Sequence, residues 1–480
     1  MDTRRRFLLA LMIVLAGRSP GANAQVSSPA DSSTQQQVPP ATRDLNPTQE
    51  IAKEVPEGPA VVVGPIEFRL GGYLGATVIF RSTNSGGGTG TSFGSIPYDD
   101  TVQGNVSETR LTAQSSRLSL RIDVAPTESQ AALTGYFEMD FNGSTSGTVA
   151  VTSTSVGFRL RHAFGEAQRR KRHFIAAGQA FSLMTPATNQ LSIWPSDYEM
   201  SQAVDTNYLA GLVWSRTPQI RFTYRASAAF NWAFSVENPE QQIGNGLVTL
   251  PACCAADLEQ QYNTGSEELK VPNLMPDLVS RVALNRGRVV HVDAGGVFRV
   301  FRHALAPYDA AHTYAHAGGG IGVNARWNPA ALSKLLGQAS YGAGMGRYIG
   351  GLVPDVAVSP DGEIHPVRTF SWVAGIEQRV APRLSVAVYD SGVRAENHVF
   401  QDAGGGLIGF GYPGASNAAN RDIHEATGVF AWQAWKMADR GSMQWNTQLS
   451  WLRRSPWSQG TGPASASEFV FFTQFRYNLP

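Results

Sequence analysis

From Ile66 to the C-terminus, apolar and polar side chains alternate with a period of two over many short runs. The last run is the clearest. Phe469, Phe471, Thr473, Phe475, Tyr477 and Leu479 fall on one face, and Gln474, Arg476 and Asn478 on the other. One face suits lipid and the other water, as in a strand that closes a membrane barrel. The same pattern predicts sixteen strands, near 66–81, 107–124, 130–142, 152–165, 171–183, 208–225, 227–237, 278–287, 288–302, 313–328, 336–349, 367–380, 382–395, 422–437, 441–453 and 468–479. Short turns (125–129, 286–288, 381–382) alternate with long connections (82–106, 184–207, 238–277, 350–366, 396–421). Short turns on one side and long loops on the other are expected of an antiparallel transmembrane β-barrel, and a soluble sandwich has no reason to keep that alternation.

The alternation also says which side chains line the lumen. Leu118, Leu120, Ile122 and Val124 point outward and turn Arg117, Arg121 and Asp123 in. Leu133, Phe137, Met139 and Phe141 oppose Glu138 and Asp140, while Val156, Phe158, Leu160 and Phe164 oppose Arg159 and Arg161. Ile220, Phe222 and Tyr224 oppose Arg221 and Arg225. Arg281, Arg299, Arg326 and Arg476 share the inward parity with Asp293 and Glu377. Ten arginines against five acids give the lumen a positive potential that favours anions. Paired charges that lock neighbouring strands together are the structural alternative for any single arginine. The connection 184–207, third on the long-loop side, follows the fifth strand; with Trp194, Tyr198, Glu199 and Asp205 it suits a constriction folded into the lumen, or else an exposed surface loop.

The N-terminus changes the picture by giving the chain a destination. Arg4, Arg5 and Arg6, the apolar run Phe7–Ala16 and the small residues Ala22 and Ala24 make residues 1–24 a secretion signal, with an apolar run too short to span a bilayer. Residues 25–62 are rich in Ser, Gln, Pro, Ala and Thr and read as a disordered periplasmic lead-in, leaving 63–480 as the barrel. No later window is apolar enough for a helical span. The whole chain carries a net charge of +1; losing four arginines and Asp2 with the signal leaves 35 basic against 37 acidic residues, a balance that points to no nucleic-acid partner. With 49 glycines, 10% aromatic and 16% charged residues, the composition suits a barrel of the outer membrane of a Gram-negative-type envelope.

Other chemistry is sparse. Cys253 and Cys254 are adjacent, a spacing that strains an ordinary disulfide and matches no zinc motif; a loop pair outside the transport path, a bound metal and an intermolecular bridge remain open. His312 and His316 are the closest histidine pair, in or near a loop, and read as solvated. No Ser, His and acid set has catalytic spacing, and neither metal nor cofactor is expected.

Five stretches, Ser116–Asp123 (SRLSLRID), Gln219–Tyr224 (QIRFTY), Val236–Glu240 (VENPE), Pro276–Arg281 (PDLVSR) and Gly344–Ile349 (GMGRYI), resemble the DcaP-like trimeric outer-membrane porins, in the family's order. The resemblance implies a sixteen-stranded homotrimeric channel set in outer-membrane lipids, passing small anionic solutes such as dicarboxylates, with no catalysis. It adds Arg347, within GMGRYI, to the candidate pore-lining arginines. The chain departs from the family in a Pro- and Gln-rich lead-in where a coiled coil is common, and in ending on Leu479-Pro480. A barrel lipase or protease and a plugged adhesin are the alternative functions.

Overall fold

The computed structural model describes residues 60–124, 131–143, 156–244, 246–263, 271–415, 419–437, 439–458 and 462–480. The expected signal and nearly all of the lead-in lie outside them, as does the turn expected at 125–129. Sixteen strands form the barrel: β1 Ile66–Arg81, β2 Arg117–Val124, β3 Ala132–Asp140, β4 Arg159–Arg169, β5 His173–Phe181, β6 Arg216–Arg225, β7 Phe230–Glu237, β8 Asp277–Arg286, β9 Val290–Ala304, β10 Thr313–Ala330, β11 Ser333–Ala343, β12 Arg368–Ala381, β13 Leu384–Ala395, β14 Asn420–Met437, β15 Gly441–Pro456 and β16 Ala466–Asn478. Each pairs antiparallel with its sequence neighbours, and β16 returns to β1 in a register running from Tyr73↔Asn478 to Arg81↔Val470. Closure leaves no sheet edge exposed. Glu108–Thr112 completes the sheet beside the upper part of β1, and Val61–Val63 hairpins onto its lower end.

Outward positions carry Leu74, Ile220, Leu284, Ile321, Val388, Leu449 and Phe475, all large, apolar and exposed. Such a band on a closed barrel is a lipid contact surface, because all the backbone groups behind it are already bonded within the sheet. The short turns and both ends of the barrel sheet share one rim, and the long loops share the other.

The expected strand 107–124 is split into Glu108–Thr112 and Arg117–Val124, and three further departures from the sequence reading each have a local reason. In β4 the ladder to β3 slips, with Glu138 opposite His162 but Met139 opposite Leu160. This bulge reverses the parity beyond it, so Phe164, expected toward lipid, turns inward against Tyr136 and Trp194. β6 begins at Arg216 rather than near 208, because Leu209, Ala210, Leu212 and Val213 are buried within the barrel as part of the preceding loop. β11 stops at Ala343. Gly344 follows with φ +81°, where a Cβ would meet the Phe301 ring at 2.5 Å, and Gly346–Tyr348 then form a 3-10 turn.

The long loops also have a core of their own. Ile243, Leu258 and Tyr262 from the loop holding helix α1 (Ala255–Gln261) join Val356–Val358, Ile364 and Phe410 against Phe301, Val393 and Ile423 of the wall. The alternation of the strands gives no hint of this cluster. Cys253 and Cys254 bond to each other at the start of α1.

Candidate functional site: an infolded loop facing an arginine arc

The connection from β5 to β6, residues 182–215, is closed at its base by Ser182 N donating to Ser215 O at 2.9 Å. Its tip is shaped by one carboxylate. Asp197 accepts from the backbone N–H groups of Asn189, Gln190 and Ser192 and from the Thr188 hydroxyl, at 2.7–3.1 Å. A segment so folded on itself can cross the lumen without leaving its peptide groups unsatisfied.

From there the loop follows the inner wall strand by strand. Leu183 N donates to Glu237 on β7 at 2.8 Å, and Met184 O accepts from Arg281 on β8 at 2.8 Å. Ala187 N donates to Asp293 on β9, while Ala187 O accepts from Asn324 on β10. Glu199 meets Lys334 of β11 at 2.9 Å, and Lys334 also meets Glu377 of β12 at 2.6 Å, with all three side chains fully buried. Gln202 N donates to the Tyr389 hydroxyl of β13 at 2.9 Å, Val204 N and Asp205 N to Gln448 of β15, and Ala210 N to Glu425 of β14 at 2.8 Å. Gly211 touches the wall itself: at φ +83° its Cβ position lies 2.0 Å from Gly392 O.

Along this covered arc the expected pore arginines are held tightly. Arg221 donates to Ser192 O and Phe181 O and lies over Tyr198. Arg281 pairs with Asp293. Arg299 pairs with Asp277 at 3.1 Å and Asp355 at 2.8 Å. Arg326 reaches Glu199 at 3.5 Å. Arg347 stands on the 3-10 turn rather than a strand, donating to Asn238 O at 2.6 Å and Thr217 at 3.1 Å. Arg225, near the short-turn rim, lies 3.9 Å over the Phe174 ring.

The opposite arc, from β16 through β1 to β4, is left open. Side-chain exposure is 25% for Arg117, 33% for Arg121 and 36% for Arg159, against 1% for Arg281 and Arg299. Arg476 lies 4.0 Å and Arg117 5.6 Å over the one Tyr73 ring, and Arg121 lies 4.9 Å over Trp194. Stacking fixes each guanidinium plane; Arg121 donates its Nε and Nη2 to Asp123 at 2.7 and 3.0 Å and Arg476 donates the same pair to Gln474 at 3.0 and 2.8 Å, which leaves part of each five-donor fork for a solute. Arg159 pairs with Asp140 at 2.7 Å; Arg161, beside it and buried, bonds Asp140 at 3.1 Å and the loop's Tyr208 hydroxyl at 3.2 Å.

The four loop residues singled out from sequence face different ways. Trp194 donates to Glu166 at 2.9 Å on the open side. Tyr198, Glu199 and Asp205 are buried against the wall, and Asp205 accepts from Thr91 N and Asn207 N. The part-exposed edge of the loop is neutral: Asn189, Gln190, Ser201, Gln202, Thr206 and Asn207. Sequence reasoning missed Tyr73, Tyr208 and Arg216. Arg216 lies over Phe181 and Trp214, and no periodic signal marked any of the three. Among the described residues, no group of three or more His, Cys, Asp or Glu is placed to hold a metal ion.

A closed sixteen-stranded barrel with a lipid-facing apolar belt, polar lumen and infolded third loop has the architecture of an outer-membrane porin. No protein-family model matches the chain, and no curated protein matches it. Among solved structures it is similar to the outer membrane channel DcaP of Acinetobacter baumannii, with 15% identity over 87% of this chain and 99% of that one, at a TM-score of 0.63. An anion-selective porin from Comamonas acidovorans aligns at 13% identity over 86% of this chain and all of that one, with a TM-score of 0.49. The chain therefore has the DcaP-like porin fold that its motifs suggested, and the fold places it in the outer membrane.

Proposed function

We propose that the protein is a passive, anion-preferring diffusion channel for small hydrophilic solutes, dicarboxylates among them, and that it works as a homotrimer without catalysis or cofactor. One observation carries the reading. Arg117, Arg121, Arg159 and Arg476 stand along the open arc, while Glu199 and Asp205 of the facing loop turn away from it into the wall. The passage between them has cationic groups on one side and neutral amides and hydroxyls on the other.

An anion entering this passage exchanges part of its hydration shell for guanidinium N–H donors already aligned by Tyr73 and Trp194. A cation meets the same groups as a barrier. Asp123, Glu138 and Asp140 offset part of the charge, so the preference is graded and several weak sites in series let the solute leave. Size is set by the loop, whose anchoring to seven successive wall strands gives it little freedom to retreat.

The test is the reversal potential of the purified protein in a planar bilayer under a potassium chloride gradient. Chloride preference is expected. Cation preference would refute the anion reading, and a folded barrel without conductance would point to the adhesin or enzyme alternatives.

A further inference from the structure

The outer wall over β12–β15 carries polar chemistry that a lipid-facing surface does not need. Arg394 on β13 and Arg453 on β15 are exposed, share the outward parity of Val388 and Leu449, and lie near the long-loop ends of their strands. Among the described residues neither has an ion-pair or hydrogen-bond partner for its side chain. Two further arginines extend the patch, Arg421 paired with Asp422 at 2.7 Å and Arg368 with Glu396 at 3.4 Å. A third acid on the same wall is also engaged: Asp390 accepts from the Trp372 indole at 2.9 Å and meets His424 at 2.6 Å. Below lies an apolar surface of Val388, Phe430 and Leu449.

An arginine on the lipid face costs about 2–4 kcal/mol at mid-membrane and about 0–1 kcal/mol near the interface, so both residues are tolerable where headgroups lie. The long-loop rim of an outer-membrane barrel faces the outer leaflet, whose lipid is a phosphorylated glycolipid. Arg394 is in register with Asp422, and Arg453 with His424, two strands from β13. His424 also pairs with Gly392, so Arg453 lies two strands across and two residues along from Arg394. At about 4.8 Å per strand and about 3.4 Å per residue the two Cα atoms stand roughly 12 Å apart, a span that long arginine side chains can match to two phosphates on one disaccharide headgroup.

We propose that Arg394 and Arg453 form a docking site on the outer wall for the phosphorylated glycolipid of the outer leaflet, with its phosphates on the two guanidiniums and an acyl chain along the apolar surface beneath. Arginine suits the task because its fork donates two aligned N–H groups to one phosphate. The nearby carboxylates are already engaged, Asp390 by Trp372 and His424, Asp422 by Arg421 and Glu396 by Arg368, which limits their repulsion of the headgroup.

The experiment adds bisphosphorylated lipid A to detergent-solubilised, lipid-free, refolded protein and follows both thermal unfolding and lipid retention by native mass spectrometry. The parent should gain heat resistance with bisphosphorylated lipid A and less with the monophosphorylated form. Arg394→Gln/Arg453→Gln should retain it about tenfold less well, Arg394→Lys/Arg453→Lys should recover part of the retention, and Arg440→Gln on the short-turn rim should behave as the parent. Inorganic phosphate should not compete, because it lacks the chains. Equal retention by the folded glutamine variant, or equal stabilisation by phosphatidylethanolamine, would overturn the proposal. So would a change in oligomeric state alone, which would make the patch a contact between copies.

Discussion

The two sides of the lumen carry the same residue types to different ends. On the covered side, β6 to β15, arginine, lysine and acid are buried, paired and bonded to the backbone of the infolded loop. On the open side, β16 to β4, arginines lie on aromatic faces and stay part-exposed. An inward arginine is thus a rivet or a selectivity group according to what covers it. The distinction has energetic content, since breaking a buried pair strands a charge, while removing a hydrated one changes mainly the field.

The largest expected effect comes from Lys334→Met. It leaves Glu377 buried without its cation and Glu199 with Arg326 at 3.5 Å, and should cost about 3–5 kcal/mol. The loop would lose its central anchor, so a lower temperature for loss of the heat-resistant barrel should accompany a larger and noisier single-channel conductance. Gly211→Ala attacks the same side more gently. A side chain at φ +83° pressed against Gly392 O should destabilise the docked loop by about 1–3 kcal/mol, read in the same two assays. On the open side the order of effects reverses: Arg121→Gln, whose charge is exposed and paired with Asp123, should cost under about 1 kcal/mol of stability yet weaken chloride preference measurably.

The smallest effect concerns the outer loops. His365 and His398, on loop strands Ile364–Pro366 and His398–Gln401, bring their rings to 6.0 Å. Burial holds both imidazoles below the usual histidine value; for His398 the neighbouring His365 adds to this, and for His365 His316 does. Asp361 and Glu363 beside His365, and Glu396 beside His398, pull the other way, while Arg368 opposes protonation of His398. A folded-state value below the unfolded one means that the unfolded loops take up protons first. Docking stability is therefore full above about pH 6.5 and falls as pH drops below it. Limited proteolysis of the outer loops should quicken between pH 7.5 and 5, and His398→Gln should flatten that dependence.

Much of this was legible in the chain. All sixteen strands were foreseen, because lipid outside and water inside impose a period of two that little else in the sequence competes with. What escaped notice breaks that period or lies outside it. The bulge at Arg161 and His162 turned Phe164 inward with no compositional mark. The infolding of 208–215 hid behind residues apolar enough to pass for strand, and the outer-loop core around Val356–Val358 arises from contacts far apart in sequence. The direction of Glu199 and Asp205 was equally hidden, since their partners Lys334, Thr91 and Gln448 come from three other parts of the barrel.

The most direct test of the contrast between the two arcs is the reversal potential of Arg117→Gln/Arg121→Gln/Arg159→Gln/Arg476→Gln beside that of the parent, in the same potassium chloride gradient and on barrels shown to be heat-resistant. The expected result is a parent that prefers chloride and a variant that has lost the preference or reversed it, at similar conductance. An unchanged reversal potential would contradict the account and move the source of selectivity away from the open arc.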